Sequence, residues 1–151
     1  MQTRRGWRSD RFRDRKLYHV MFTFEITTGK WYDPSGGYVS TGYSGGNCGN
    51  NPEGADNPAD EGIRNVGPLP EGLYTFGTPV DHSQLGVFAI PLIPDPSNDM
   101  KGRGGFYLHG DLAGKYEAAS EGCIIQPRTT RDAAWDSSDH QLRVIAVLGA
   151  A

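Results

Sequence analysis

Glycine and proline punctuate this chain so densely that long helices have little room. Its 151 residues include 21 Gly and ten Pro. Glycine loosens the backbone and proline removes a hydrogen-bond donor, so many turns and few long helices are expected. No strict repeat accompanies them, which excludes collagen-like and propeller architectures. The length suits one domain able to bury a core. With only 36% hydrophobic residues, the 11% that are aromatic must do much of the filling.

Between the breakers, short apolar runs carry the period of two that marks strands. In residues 17–26, Tyr18, Val20, Phe22, Phe24 and Ile26 share one face, while His19, Thr23 and Glu25 share the other. That pattern predicts a half-buried strand. Trp31 and Tyr32 open a second, and Tyr38 to Tyr43 a third. Leu73 to Gly77, Val87 to Pro94, Gly105 to His109 and Cys123 to Gln126 follow. Pro91 argues for an edge or a strand end in the second of these. Leu142 to Leu148 is rich in Val and Ile and reads as a central strand. One helix is expected over 130–137, capped by Thr129 or Thr130. The stretch from Gly46 to Pro68 has no periodicity and is long for a connector, which predicts a functional lid or a disordered loop. It lacks the alternating acidic pattern of a calcium loop. The sum is seven to nine short strands with one short helix and long loops: a mainly-β domain, sandwich or barrel-like.

Net charge is −3, which speaks against a nucleic-acid partner. The exception is the start: residues 1–16 hold six Arg and one Lys against two Asp. They read as a basic arm or linker remnant, with residues 17–151 as the domain proper. No run approaches the ~20 apolar residues of a membrane span, and no signal-peptide core follows the basic start. Cys48 sits in the long loop with no local histidine and reads as an incidental thiol. A Cys48–Cys123 disulfide is the alternative, which one pair does not establish.

The stretch from Phe106 to Pro127 is the candidate site. Cys123 has the surroundings a nucleophile needs. His109 is the candidate base. Gly122 keeps backbone N–H groups near Cys123 open for an oxyanion, and Gly110 relieves crowding beside His109. Ser120 and Asp111 are placed to orient the imidazole or hold substrate. The two reactive residues end consecutive extended segments and meet if those strands are neighbours. Histidine precedes cysteine, and the cysteine enters a β-like piece, which excludes the usual layout of papain-like and NlpC/P60-like peptidases. One Cys and one His fall short of a zinc site, and His19, His82 and His140 show no paired spacing. No metal and no cofactor are expected.

His109-Gly110 followed by Ser120-Glu121-Gly122-Cys123-Ile124 resembles the signature of L,D-transpeptidases, the YkuD-type cysteine enzymes of peptidoglycan. Within them the chain most resembles the Tlde1 (DUF2778) group of type VI secretion effectors. Tyr43-Ser44-Gly45, Asn50-Asn51-Pro52, the run from Gly67 to Tyr74 and His109-Gly110-Asp111 support this in the family's order, over roughly residues 17 to 148. Many YkuD enzymes carry an arginine just after the cysteine; here the chain reads Ile125-Gln126-Pro127-Arg128, which leaves Arg128 as the candidate for a similar role.

The resemblance implies a compact β-rich L,D-transpeptidase-like fold and acyl transfer on peptidoglycan tetrapeptide stems. Cys123 would be the nucleophile and His109 the base, with Ser120, Gly122 and Asp111 completing the catalytic set. Tyr43, Ser44, Gly110 and Arg128 would contact substrate. Water would release a trimmed peptide; a free D-amino acid as acceptor would give exchange. A protein made in the cytoplasm without a signal peptide and delivered by type VI secretion to a target cell's periplasm would be toxic there, and would need a cognate immunity protein. Two other readings remain open: a non-catalytic module that docks on cell wall or on a phage or secretion machine, and an assembly protein closed by the disulfide.

Overall fold

The computed structural model describes residues 21–46, 49–111 and 122–147. Among these residues ten strands form one large mixed sheet. In chain order they are β1 (Phe22–Glu25), β2 (Lys30–Tyr32), β3 (Tyr38–Thr41), β4 (Tyr43–Ser44), β5 (Gly72–Phe76), β6 (Val80–His82), β7 (Gly86–Pro94), β8 (Tyr107–His109), β9 (Ile124–Ile125) and β10 (Gln141–Ile145). Among the described residues one α-helix, α1 (Arg128–Asp136), occurs, between β9 and β10. The mainly-β expectation holds. The sheet order is β3-β2-β1-β10-β5-β7-β8-β9-β4, with β6 attached to β7.

The two ends of that order are consecutive in the chain. Only Gly42 separates β3 from β4, so the predicted single strand from Tyr38 to Tyr43 is two strands on opposite edges. The hydrogen bonds do not close a barrel, yet one residue joins the rims. Gly42 donates its N–H to the Gly29 carbonyl at 2.7 Å, and a Cβ on it would fall on the Ile125 carbonyl. A side chain has no place at this seam. Gln126 fastens it: its Nε2 donates to Gly29 O at 3.1 Å, and its Oε1 accepts from the Ser40 hydroxyl at 2.8 Å.

The core is aromatic, as the composition required. Phe22, Trp31 and Phe76 meet with ring centroids 5.6 to 6.3 Å apart, and Phe24, Ile90, Leu108, Ile124 and Leu142 belong to the same buried cluster. β10 is central, parallel to β1 and antiparallel to β5. The half-buried expectation for β1 fails: Thr23 and Glu25 are buried as well, and the Glu25 carboxylate accepts from the Thr28 hydroxyl.

Two more expectations are corrected, and the disordered alternative for the long loop is set aside. Pro91 lies inside the nine-residue β7, paired with Tyr107 of β8. Its missing N–H faces the point where the neighbour on that edge changes from β6 to β5, so no ladder bond is lost there; its carbonyl accepts from Gly77 N–H at 2.8 Å. The helix begins at Arg128, with Pro127 at the N-cap and no side-chain cap; proline's fixed φ serves the entry where a threonine was expected. Within the long loop, residues 49–68 are folded into turns. Two 3-10 turns, Pro52–Gly54 and Pro58–Asp60, lie in it. Asp56 and Ser44 exchange hydrogen bonds of 2.8 and 3.0 Å that hold it down. Residues 1–20, Cys48 and Leu148 lie outside the described residues, and with them the basic arm and any pairing of Cys48. Among the described residues no helix is long and apolar enough to cross a membrane.

Candidate active site

β8 and β9 are parallel neighbours, with Leu108 paired to Ile124 and His109 to Ile125. Their alternation sorts the side chains. Leu108 and Ile124 enter the main core. His109, Ile125 and, one step back, Tyr107 take the other face, whereas Cys123, just ahead of β9, packs against the main core. His109 ends β8 opposite Ile125, and Cys123 stands two positions before Ile125 on the neighbouring segment. The condition set by the sequence, that the two segments be neighbouring strands, is met.

His109 is 1% exposed. Its Nδ1 lies 2.8 Å from the Gly110 carbonyl. A carbonyl only accepts, so Nδ1 carries the proton and Nε2 keeps its lone pair. Nε2 is buried and has no hydrogen-bond partner among the described residues. Burial pushes the His109 pKa below its ordinary 6.5, aided by the Arg131 and His82 charges; the Gly110 carbonyl and Asp111 pull the other way and lose. A buried, neutral imidazole with one unpaired nitrogen is a poised proton acceptor.

Cys123 is half-buried against the core. The Tyr107 N–H donates to its Sγ at 3.3 Å. Behind it stands Arg103, 9% exposed, whose Nη1 donates to Glu61 O at 2.6 Å and Pro68 O at 2.7 Å, and whose Nη2 donates to Gly67 O at 3.1 Å. Burial lowers the Arg103 pKa. Gly122 has φ +134°, and a Cβ there would meet Arg103 Nη2 at 2.5 Å and the Phe106 ring at 2.7 Å. Both conformation and space therefore call for glycine before the cysteine.

Past His109 the two strands open into a cleft of about 300 Å³. Gly110, Asp111, Tyr43 and Ile125 line it, with Pro127, Arg128 and Arg131 from the start of α1. It lies on the seam where the sheet's edges meet.

Residues 39–150 match the family model of the Tlde1 domain. The chain belongs to the Tlde1 domain family. No curated protein and no solved structure matches it. Membership points to a type VI secretion effector family and is consistent with an effector enzyme.

The matched span of this Tlde1 domain contains every residue singled out from the sequence for the site. Their places differ. Tyr43, Gly110, Asp111 and Arg128 line the cleft. Tyr43 is 1% exposed and donates its hydroxyl to Asp111 at 2.7 Å. Arg128 sits at the mouth, paired to Asp132 at 2.8 Å and 4.5 Å over the Phe88 ring. Ser44 does not reach the cleft: it is fully buried, donating to Gly122 O at 2.9 Å and accepting from Leu69 N–H at 2.8 Å. It supports the turn into Cys123 from beneath. Ser120 lies outside the described residues. The imidazole is oriented by the Gly110 carbonyl, a backbone group that no side-chain pattern announces. Gly110 itself is small on account of Arg131, whose Nη2 would stand 2.8 Å from a Cβ there. Arg131 and Arg103 escaped the sequence reading because their partners are main-chain carbonyls.

Proposed function

We propose that this Tlde1 domain is a cysteine acyltransferase acting on peptidoglycan tetrapeptide stems, an L,D-carboxypeptidase that also exchanges the terminal D-amino acid. His109 Nε2 takes the thiol proton of Cys123. The sulfur attacks the carbonyl carbon at the L-centre of meso-diaminopimelate, and an S–C bond forms. Collapse of the tetrahedral species breaks the C–N bond, and the proton on Nε2 passes to the departing amine of D-alanine. Water then attacks the thioester, Nε2 receives its proton, the S–C bond breaks and the proton returns to sulfur. An incoming D-amino acid replaces water in the exchange reaction, forming a new amide. Either route trims or blocks the tetrapeptides that donate cross-links. The partners that follow are the stems, D-amino acids as acceptors and a cognate immunity protein. The route that follows is type VI delivery from the producer's cytoplasm to a rival's periplasm.

What supports this reading is one relation: His109, whose buried Nε2 has no hydrogen-bond partner among the described residues, ends the strand that runs parallel to the one Cys123 leads into, inside a family of effectors. The test is incubation of the purified protein with disaccharide tetrapeptides. Tripeptide product, a covalent acyl adduct on Cys123 by mass, and loss of both in Cys123→Ala are expected. Folded wild-type protein that leaves tetrapeptides intact at high dose would overturn it, and the non-catalytic binding reading would take its place.

A further inference from the structure

Arg131 is the one cation in the cleft wall that is almost wholly buried, at 6% exposed. Three bonds to carbonyls fix its guanidinium. Nε donates to Gln126 O at 3.2 Å, and Nη1 donates to Val87 O at 2.9 Å and Phe88 O at 2.8 Å. Nη2 takes no hydrogen bond among the described residues, and it lies beside Gly110 on the cleft. A desolvated guanidinium held on two of its nitrogens and open on the third is preorganised for an anion.

A second feature converges on the same space. α1 starts at the cleft with Pro127 and Arg128, and no side chain caps it. Its first N–H groups carry the positive end of the helix dipole. Arg128 adds charge at the mouth, although Asp132 holds its Nε. The opposing charge on the wall is Asp111, which already accepts the Tyr43 hydroxyl.

We infer that this cleft binds the free α-carboxylate of the amino acid that leaves from, or attacks, the acyl carbon, with Arg131 Nη2 as its donor. The inference rests on the acyl-transfer reading and names the subsite on the amine side of the scissile bond. Position along the strands carries it. Cys123 lies level with Tyr107, His109 with Ile125, and Arg131 with Gly110 and Gln126. Nucleophile, base and guanidinium thus follow one another along the sheet, the last about three residues or ~10 Å from the first. One amino-acid residue spans ~3.8 Å; a sulfur–carbon contact at one end and a charge-assisted hydrogen bond of ~2.8 Å at the other make up the rest. A carbonyl at Cys123 and a leaving amine at His109 therefore place that amino acid's carboxylate at Arg131. Asp111, on the same wall, suits the ammonium of the amino acid once released or before it attacks. A longer peptide on this side would have to carry its carboxylate past the guanidinium, so a single terminal residue is selected.

Binding is tested apart from catalysis. Cys123→Ala protein is titrated with D-alanine and with D-alaninamide, following the Arg131 Nε–H and Gly110 amide signals by NMR. D-Alanine is expected to bind at least tenfold more tightly than the amide, and Arg131→Gln to erase the difference. Equal binding of acid and amide overturns the inference, whatever Arg131→Gln does to the fold. In parallel, wild-type protein is given tetrapeptide and its C-terminal carboxamide. A preference for the acid of about tenfold to a hundredfold in kcat/KM is expected from loss of one charged hydrogen bond. No turnover of either peptide, with D-alanine still preferred by the Cys123→Ala protein, would remove the proposed reaction and leave the carboxylate site standing.

Discussion

Ser44 donates its hydroxyl to the carbonyl of Gly122 at 2.9 Å, linking the last strand of the sheet order to the residue before Cys123. The same oxygen accepts the Leu69 N–H. One small buried side chain therefore holds the turn into Cys123 and the segment entering β5. Ser44→Ala removes both bonds and leaves the Leu69 N–H without its acceptor. A loss of about 1–3 kcal/mol in denaturant unfolding is expected, together with slower alkylation of Cys123 as Gly122 loosens. Unchanged stability would mean that the neighbouring backbone supplies these bonds without Ser44.

The pH dependence follows from His109. Its folded pKa lies below 6.5 because burial disfavours the imidazolium. Above pH 6.5 the ring is neutral in the folded and unfolded chain alike, and it contributes no slope. As pH falls through 6.5 the unfolded chain takes up a proton that the folded one refuses, so stability drops until the folded pKa is reached. The wild type is expected to lose stability relative to His109→Gln across that window, by at most about 1.4 kcal/mol per pH unit. The acid limb of kcat/KM, which reports the same group in the free enzyme, is expected below pH 6.5. A limb at or above 6.5 would contradict a buried neutral base.

Gly42 is the joint between the rims of the sheet. A methyl group there has to displace the Ile125 carbonyl, which is backbone and not a flexible tip. Ile125 is the register partner of His109, so the strain passes directly to the site. Gly42→Ala is expected to cost about 3 kcal/mol or more, read as a fall in unfolding midpoint. Gly86→Ala meets nothing within 4 Å, although its φ of +90° favours glycine, and is expected to cost less. Equal costs would show that the seam yields easily.

The strands that show their period locally were legible. Phe22 and Phe24 announce β1, the Val and Ile of β10 announce a central strand, and His109 and Cys123 mark two segments that the fold makes parallel neighbours. What stayed hidden depends on distant partners. Nothing local distinguishes one strand from two across Gly42, because the break is imposed by Gly29 and Ile125. Glu25 looks like a solvent residue until the other face of β1 is covered. Pro91 looks like a strand end until β5 and β6 share one edge of β7. Arg131 and Arg103 look like surface charges until the carbonyls that hold them are in place.

Arg103 gives the sharpest separation of charge from shape. Its fork takes the carbonyls of Glu61, Pro68 and Gly67 together, and its plane lies 5.1 Å over the Phe106 ring beside Gly122. Arg103→Lys keeps a positive charge but offers one nitrogen on a flexible stem, which cannot reach the same three acceptors in the same geometry. If the clasp matters through its shape, residues 61–68 detach from the wall behind Cys123 even though the charge survives. A loss of about 2–3 kcal/mol is expected, and the Val66 and Gly67 amides, bonded within the loop to Ile63 O at 3.2 and 3.0 Å, exchange faster with solvent. If those amides keep their wild-type protection in Arg103→Lys, charge alone holds the loop and the fork is dispensable.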